Sequence, residues 1–180
     1  MTESGQTTDA ALIAAYRAGS ERAAAELVAR HATALGRFLY GAGAGRSDVD
    51  DFVQETFFRA FRRIDGWRGD AAFRSWLFAI GGNLLKDDFR RRKGRRVLPI
   101  EDRDMVDHAD PESDLAAADA HERLRAGLGK LPRLQREVFL LRVQQGTDYA
   151  DIAAALGTTA GAARVHYHHA VKKLKELCNA

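Results

Sequence analysis

The chain has 180 residues, of which 46% are hydrophobic and 29% charged, so it can build the core of one ordinary domain or two small ones and is not wholly disordered. Its net charge of +3 is by itself a weak sign of polyanion binding. The single cysteine, Cys178, excludes an intramolecular disulfide and a zinc site made of several thiolates. Because the N-terminus carries no export signal and no apolar run approaches the ~20 residues that cross a bilayer, we expect a cytoplasmic protein with no membrane insertion.

Apolar side chains recur at helical spacing through the first half of the chain. A stripe from Leu27 to Leu39 predicts a helix over about 21–40, with Ser20 as its N-cap. A cluster of glycines ends this helix, and another helix follows it. Two residues can cap that second helix, Ser47 or Asp48.

The third predicted helix gives the strongest amphipathic pattern in the chain. It runs over about 70–93 and places Trp76 in the core. The pair Gly81 and Gly82 interrupts it, and two glycines inside a helix indicate either local flexibility or a close approach of another backbone.

The charge of the chain changes sharply after this helix. Residues 86–96 contain seven cations and two acids, a local net charge of +5, whereas acids dominate residues 101–114. Because prolines also interrupt the acidic stretch, we predict a flexible acidic linker at 97–113. It divides the chain into a first domain at 1–96 and a second domain at 114–180.

The second domain continues the helical pattern. A helix over 115–130 and another that begins at Pro132 precede a short helix that ends at Gly157. A glycine turn, a threonine N-cap and a longer helix then complete a helix-turn-helix, whose second helix can lie in the DNA major groove. With no strand pattern in the sequence, we predict an all-α protein of two small helical domains joined by the linker.

One side of the last helix faces the core at about 100° per residue, and the other side carries groups suited to phosphates, base edges and thymine methyl groups. The outward residues are Arg164, Val165, His168, His169 and Lys172. An ordinary solvated helix face is the alternative. Because no carboxylate or thiolate near these histidines completes a metal site, we predict neither a metal nor a cofactor.

The basic run of the first domain lies on the same helix as Asn83, which we expect to be exposed, and follows a loop in which Trp67 stands between glycines. Clustered cations fit a nucleic-acid surface, although they could also be a solvated helix end that interacts with the helix dipole. Trp67 could stack on an unpaired base or fold back over the core.

Together these segments resemble the ECF (extracytoplasmic-function) group of bacterial RNA polymerase sigma factors. The sequences DDFVQETFFRAF at 50–61 and WRGDAAFRSWL at 67–77, with Asn83, are similar to the second conserved region of that family. The sequence LPRLQREVFLLR at 131–142, with the helix-turn-helix, is similar to the fourth region. Both occur in the family's order and spacing, so the resemblance covers roughly residues 12–177.

The resemblance implies a dissociable promoter-specificity subunit of RNA polymerase. A coiled coil of the largest polymerase subunit would bind Asp51, Gln54, Glu55 and Arg59. The minus-10 element would contact Trp67, Arg68, Gly69, Asp70, Asn83, Lys86 and Arg90. The minus-35 element would contact Arg164, Val165, His168, His169 and Lys172.

The implied partners are core RNA polymerase, promoter DNA and an anti-sigma factor held between the two domains. The acidic linker would occupy a positively charged channel that later carries RNA. Residues 162–167 depart from the family's usual sequence, which indicates an unusual minus-35 preference.

Three other classes fit parts of the sequence. A repressor or activator would use only the helix-turn-helix and would need a dimer interface, for which no heptads are present. A decoy that binds only an anti-sigma factor would not need the promoter-reading residues. A metal-dependent nuclease would have to use exposed or capping acids, without a phosphate loop or a nucleophile–base pair. Those acids are Asp50, Asp51, Glu55, Asp87 and Asp88. The sequence therefore predicts a non-enzymatic initiation factor.

Overall fold

The computed structural model describes residues 7–95 and 115–178. These ranges contain eight α-helices and no β-strand, which confirms the all-α prediction. The helices are α1 (Asp9–Arg17), α2 (Glu21–Gly41), α3 (Val49–Arg62), α4 (Phe73–Arg95), α5 (Leu115–Gly129), α6 (Arg133–Gln145), α7 (Tyr149–Leu156) and α8 (Ala160–Cys178). The linker predicted at 97–113 lies outside the described residues. Within the described helices, none is both long enough and apolar enough to span a bilayer.

Helices α1 to α4 form the N-terminal lobe. The helix predicted over 21–40 is confirmed as α2, and the Ser20 hydroxyl caps it by accepting a hydrogen bond from the Ala23 backbone N–H at 3.3 Å. The cap predicted for α3 is wrong in one respect. Asp48 occupies the N-cap position but makes no capping hydrogen bond, because its carboxylate instead accepts from Nη2 of Arg92 at 3.0 Å.

Helix α1 has no counterpart in the sequence-based prediction. It buries Leu12 and Ile13, and Asp9 in its first turn fastens it to α2. The carboxylate of Asp9 lies 2.8 Å from Nε2 of His31 and 2.8 Å from a guanidinium nitrogen of Arg30. The sequence contains little local signal for this helix, because only two of its residues are buried aliphatic residues and the partners of Asp9 are distant in the sequence.

Helix α4 begins at Phe73, three residues later than the predicted start at 70. Phe73 and Leu77 are buried, whereas Trp76 packs against the core and stays partly exposed. A Cβ on Gly81 would lie 3.2 Å from side-chain atoms of Leu35, Leu39 and Thr56. Of the two readings left open for this glycine, the structure therefore shows a close approach between helices.

Helices α5 to α8 form the C-terminal lobe, in which α8 packs against the other three helices. Asp148 caps α7 by accepting from the Asp151 backbone N–H at 2.8 Å, and Gly157 ends the helix at φ +65°. Thr159 caps α8 by accepting from the Ala162 backbone N–H at 3.1 Å. The predicted helix-turn-helix is confirmed in its helices, its glycine turn and its threonine cap.

Candidate nucleic-acid interface

The proposed minus-35 surface is the outward side of α8. Ala163, Ala170 and Leu174 on the opposite side are buried in the core. The outward residues Arg164, Val165, His168, His169 and Lys172 are all exposed, and Val165 is 52% exposed. An apolar tip among cations and imidazoles is therefore available to a DNA groove.

Tyr149, which the sequence-based reading did not single out, supports this surface from α7. The guanidinium carbon of Arg164 lies 5.2 Å from the centre of the Tyr149 ring, and that of Arg142 lies 4.9 Å from it. The same ring contacts Tyr167 of α8 edge-on at 6.2 Å. Its only signal in the sequence is an aromatic residue at the first position of the helix before the turn.

The histidines of α8 lie close to each other without forming a metal-binding group. The rings of His168 and His169 are 6.3 Å apart, and Nδ1 of the half-buried His166 has no hydrogen-bond partner. Among the residues that the structure describes, no three histidine, cysteine, aspartate or glutamate side chains are grouped to hold an ion.

The loop at residues 67–70 carries three exposed residues, Arg68, Gly69 and Asp70, after a half-buried Trp67. The Trp67 indole N–H donates to the backbone carbonyl of Ala71 at 3.1 Å, and its ring meets Phe73 edge-on at 6.2 Å. Of the two alternatives for Trp67, the structure shows the one in which the ring folds back over the core.

The proposed minus-10 surface continues along α4. Asn83, Lys86 and Arg90 are exposed at spacings that place them on one side of the helix. Asn83 is nevertheless not free, because its Oδ1 accepts a hydrogen bond from Nη2 of Arg133 in the C-terminal lobe at 3.0 Å. This contact between lobes was not foreseen from the sequence.

The proposed polymerase-binding surface lies on α3. Asp51 and Gln54 are exposed, and Glu55 forms an ion pair with Arg59 at 2.6 Å, one turn later. Phe58 between them is 56% exposed, and the guanidinium carbon of Arg62 lies 5.5 Å from the centre of its ring. An exposed aromatic residue within a charged helix face is typical of protein interfaces, and the sequence-based reading did not single it out.

Two of the three predicted residue sets adjoin each other. Arg59 of α3 lines the same shallow cavity as Arg90 and Arg91 of α4, so the polymerase-binding and minus-10 surfaces share an edge. The residues of the minus-35 set lie on α8 of the other lobe.

Comparison with known proteins gives the family. The model "Sigma-70 region 2" matches residues 27–95, and "Sigma-70, region 4" matches residues 121–174. The RNA polymerase sigma factor CnrH of Cupriavidus metallidurans is 35% identical, over 97% of this chain and 96% of the relative. The ECF RNA polymerase sigma factor SigM of Mycobacterium tuberculosis is 33% identical, over 96% and 85%.

Solved structures agree with these relatives. The structure of CnrH in complex with the cytosolic domain of CnrY matches with a TM-score of 0.74 and 34% identity, over 95% of this chain and 97% of that one. These matches agree with the resemblance drawn from the sequence. The chain belongs to the ECF RNA polymerase sigma factors.

Proposed function

We propose that this sigma factor reads the two promoter elements with separate lobes and acts through binding alone. As an ECF sigma factor it binds core RNA polymerase and directs promoter-specific initiation of transcription. We assign its two domains to residues 1–96 and 114–180, with the acidic linker at 97–113 between them, and the two family matches, to residues 27–95 and 121–174, support this division. It acts in the cytoplasm, where core polymerase transcribes.

The minus-35 element is read by the exposed side of α8. Arg164 donates to phosphate or guanine acceptors, Lys172 adds a phosphate contact, and Val165 contacts a thymine methyl group. His168 and His169 supply further hydrogen-bonding groups at the same face. The main support for this assignment is that these five side chains all point outward from the second helix of a helix-turn-helix, which is the helix that enters the major groove.

The minus-10 element is read by the loop at 67–70 and by Asn83, Lys86 and Arg90 of α4. Capture of a base extruded from the non-template strand offsets the unstacking cost of a few kcal/mol, so binding energy assists promoter melting. Gly69 lies between exposed Arg68 and Asp70, and its φ of +82° is in the left-handed region that favours glycine, which lets the chain turn at this point of the loop. For Trp67 to stack on a base, its hydrogen bond to Ala71 would have to break.

Core polymerase is bound by Asp51, Gln54, Glu55 and Arg59 of α3. An anti-sigma factor regulates the protein, an inference supported by the relative CnrH, whose solved structure contains the cytosolic domain of CnrY. The exposed side chain of Phe58 lies on the same face of α3 as the four polymerase-binding residues and would supply an apolar contact with core polymerase.

Run-off transcription with purified core polymerase and a promoter library tests the proposal. Because each base-reading side chain contributes about 1–3 kcal/mol of discrimination, Asn83→Ala and Arg164→Ala are each expected to lower specific initiation by about fivefold or more. Arg22→Ala removes an exposed cation of α2 outside all three surfaces and serves as the control. If duplex DNA is bound while core polymerase is neither bound nor redirected, the proposal fails and a conventional repressor takes its place.

A further inference from the structure

We propose that the surface of α4 around Gly82 and Asn83 is a docking site for α6 of the same chain, and that in the docked form Arg133 occupies the side-chain oxygen with which Asn83 would read the minus-10 element. The inference rests on the proposed role of Asn83. It starts from Gly82, because the proposed recognition of DNA gives no reason for a glycine at this position.

Gly82 allows α6 to approach α4 closely. A Cβ on Gly82 would lie 3.1 Å from Oε1 of Glu137, which is only 3% exposed. The same carboxylate oxygen accepts a hydrogen bond from Nε of Arg133 at 2.6 Å. Nη2 of Arg133 then donates to Oδ1 of Asn83 at 3.0 Å. One arginine therefore joins the buried glutamate to the side chain proposed to read the minus-10 element.

A second glycine contact lies at the end of α2. A Cβ on Gly41 would lie 2.9 Å from Cδ2 of Leu140, a residue of α6 that is only 1% exposed. Nη1 of Arg136 donates to the backbone carbonyl of Ala42 at 2.6 Å. The absence of a side chain at Gly41 and at Gly82 leaves room for α6. The interface between the lobes therefore requires glycine at these two positions of the N-terminal lobe as well as the side chains of α6.

A third contact lies at the start of α4. Oδ1 of Asp151 in α7 accepts a weak hydrogen bond from the backbone N–H of Ala72 at 3.4 Å. The C-terminal lobe thus contacts the N-terminal lobe just before α4 and again at Asn83, so its contacts lie beside both parts of the proposed minus-10 surface.

The chemistry of the interface suits a contact that opens. Burial raises the pKa of Glu137 and lowers the pKa of Arg136, so in the docked form both charges carry a desolvation cost. Arg133, the main partner of Glu137, lies on the same helix and stays paired with it when the lobes separate, whereas the desolvation cost is then relieved by water. Interfaces between domains that move are more polar than permanent ones, because their charged groups are solvated again when the domains separate.

The docked form also cannot span a promoter. Elements centred near minus 10 and minus 35 lie about 25 base pairs apart, which is about 85 Å along a duplex that rises about 3.4 Å per base pair. A compact chain of this length has a radius of gyration of only about 16 Å. Promoter binding therefore requires the lobes to separate, and separation breaks the hydrogen bond between Arg133 and Asn83.

Two substitutions in the C-terminal lobe open the contact without altering the α4 surface. Glu137→Lys places a cation against Arg133, Arg136 and Lys86, and Arg133→Ala removes the bond to Asn83. Glu176→Lys makes the same charge change at an exposed position of α8 and is the matched control. Circular dichroism checks that each variant keeps its helices.

Small-angle X-ray scattering of the full chain without polymerase is the first measurement. We expect a compact wild-type protein and compact Glu176→Lys, and a radius of gyration larger by several ångströms in Glu137→Lys and Arg133→Ala. An extended wild-type protein, or compact chains for both opening variants, overturns the proposal. Scattering does not depend on how the protein reads DNA, so this result stands apart from the proposed function.

Binding to a labelled single strand that carries the minus-10 sequence is the second measurement. If the docked form makes up about 80% or more of the free protein, opening it raises the apparent affinity about fivefold or more. We expect that gain in Glu137→Lys and its loss when Asn83→Ala is added. A gain that survives Asn83→Ala overturns the role given to Asn83 here. If opening raises the radius of gyration but Asn83→Ala leaves transcription intact, the minus-10 assignment fails while the docking stands.

Discussion

Tyr149, at the start of the first helix of the helix-turn-helix, contacts the cation Arg164 that we assign to the minus-35 element. An exposed cation–π contact contributes about 0.5–1 kcal/mol, so Tyr149→Leu is expected to lower run-off transcription from a minus-35-dependent promoter by about two- to fivefold. Tyr149→Phe keeps the ring under Arg164 and should transcribe as the wild type does. An equal loss in both variants would assign the effect to the hydroxyl group.

His31 makes the stability of the N-terminal lobe depend on pH. Burial lowers its pKa despite the carboxylate of Asp9 at 2.8 Å. The unfolded chain therefore binds a proton at His31 more readily than the folded chain, so stability is complete above the unfolded pKa of about 6.5 and falls as the pH drops from there toward the lowered native value.

Replacing His31 with Asn is expected to flatten that part of the pH dependence. Urea unfolding at about pH 7.5 and about pH 5 measures the free energy of unfolding on both sides of the transition. The comparison uses the difference between the two pH values, because the substitution can also change stability at both. A difference as large as that of the wild type would contradict the role of His31.

At the scale of helices, α2, α6 and the helix-turn-helix could be predicted because apolar spacing, capping residues and glycine or proline stops agree within each segment. Helix α1 was missed because Leu12 and Ile13 are its only buried residues and its anchor, Asp9, pairs with distant Arg30 and His31. The outward set on α8 could also be predicted, since helical periodicity alone separates it from the core.

Gly81 shows what the interior of α4 requires. Gly81→Leu adds a side chain where a Cβ alone would meet Leu35, Leu39 and Thr56 at 3.2 Å. Overpacking typically costs about 1–3 kcal/mol, against a gain of about 1 kcal/mol in helix propensity, so the free energy of unfolding should fall by up to about 2 kcal/mol. Urea unfolding measures the loss. Gly129→Leu is the control, since a Cβ there would have no atom within 4 Å apart from its chain neighbours and the backbone of its own helix. A similar loss there would show that crowding is not the cause.

At the scale of the whole molecule, the sequence indicated two helical units and a linker but not how the units meet. Arg133 and Glu137 stand one turn apart, which reads as an ordinary surface ion pair, and only the structure shows that they face Gly82 and Asn83. The glycine pair left open either local flexibility or a close approach of another backbone, and the structure instead brings side-chain atoms of α2, α3 and α6 near these two glycines.

We propose that one chain reads both promoter elements at once while bound to polymerase, so initiation should depend on the distance between those elements. Run-off transcription with core polymerase is measured on a promoter identified from the library and on a template with about five base pairs inserted between the elements. Because B-DNA turns once in about 10–10.5 base pairs, the insertion moves one element to the opposite side of the duplex. We predict that initiation then falls sharply, and that it also falls when either element is scrambled. Initiation that depends neither on the spacing nor on either element would show that the two lobes do not read the elements together.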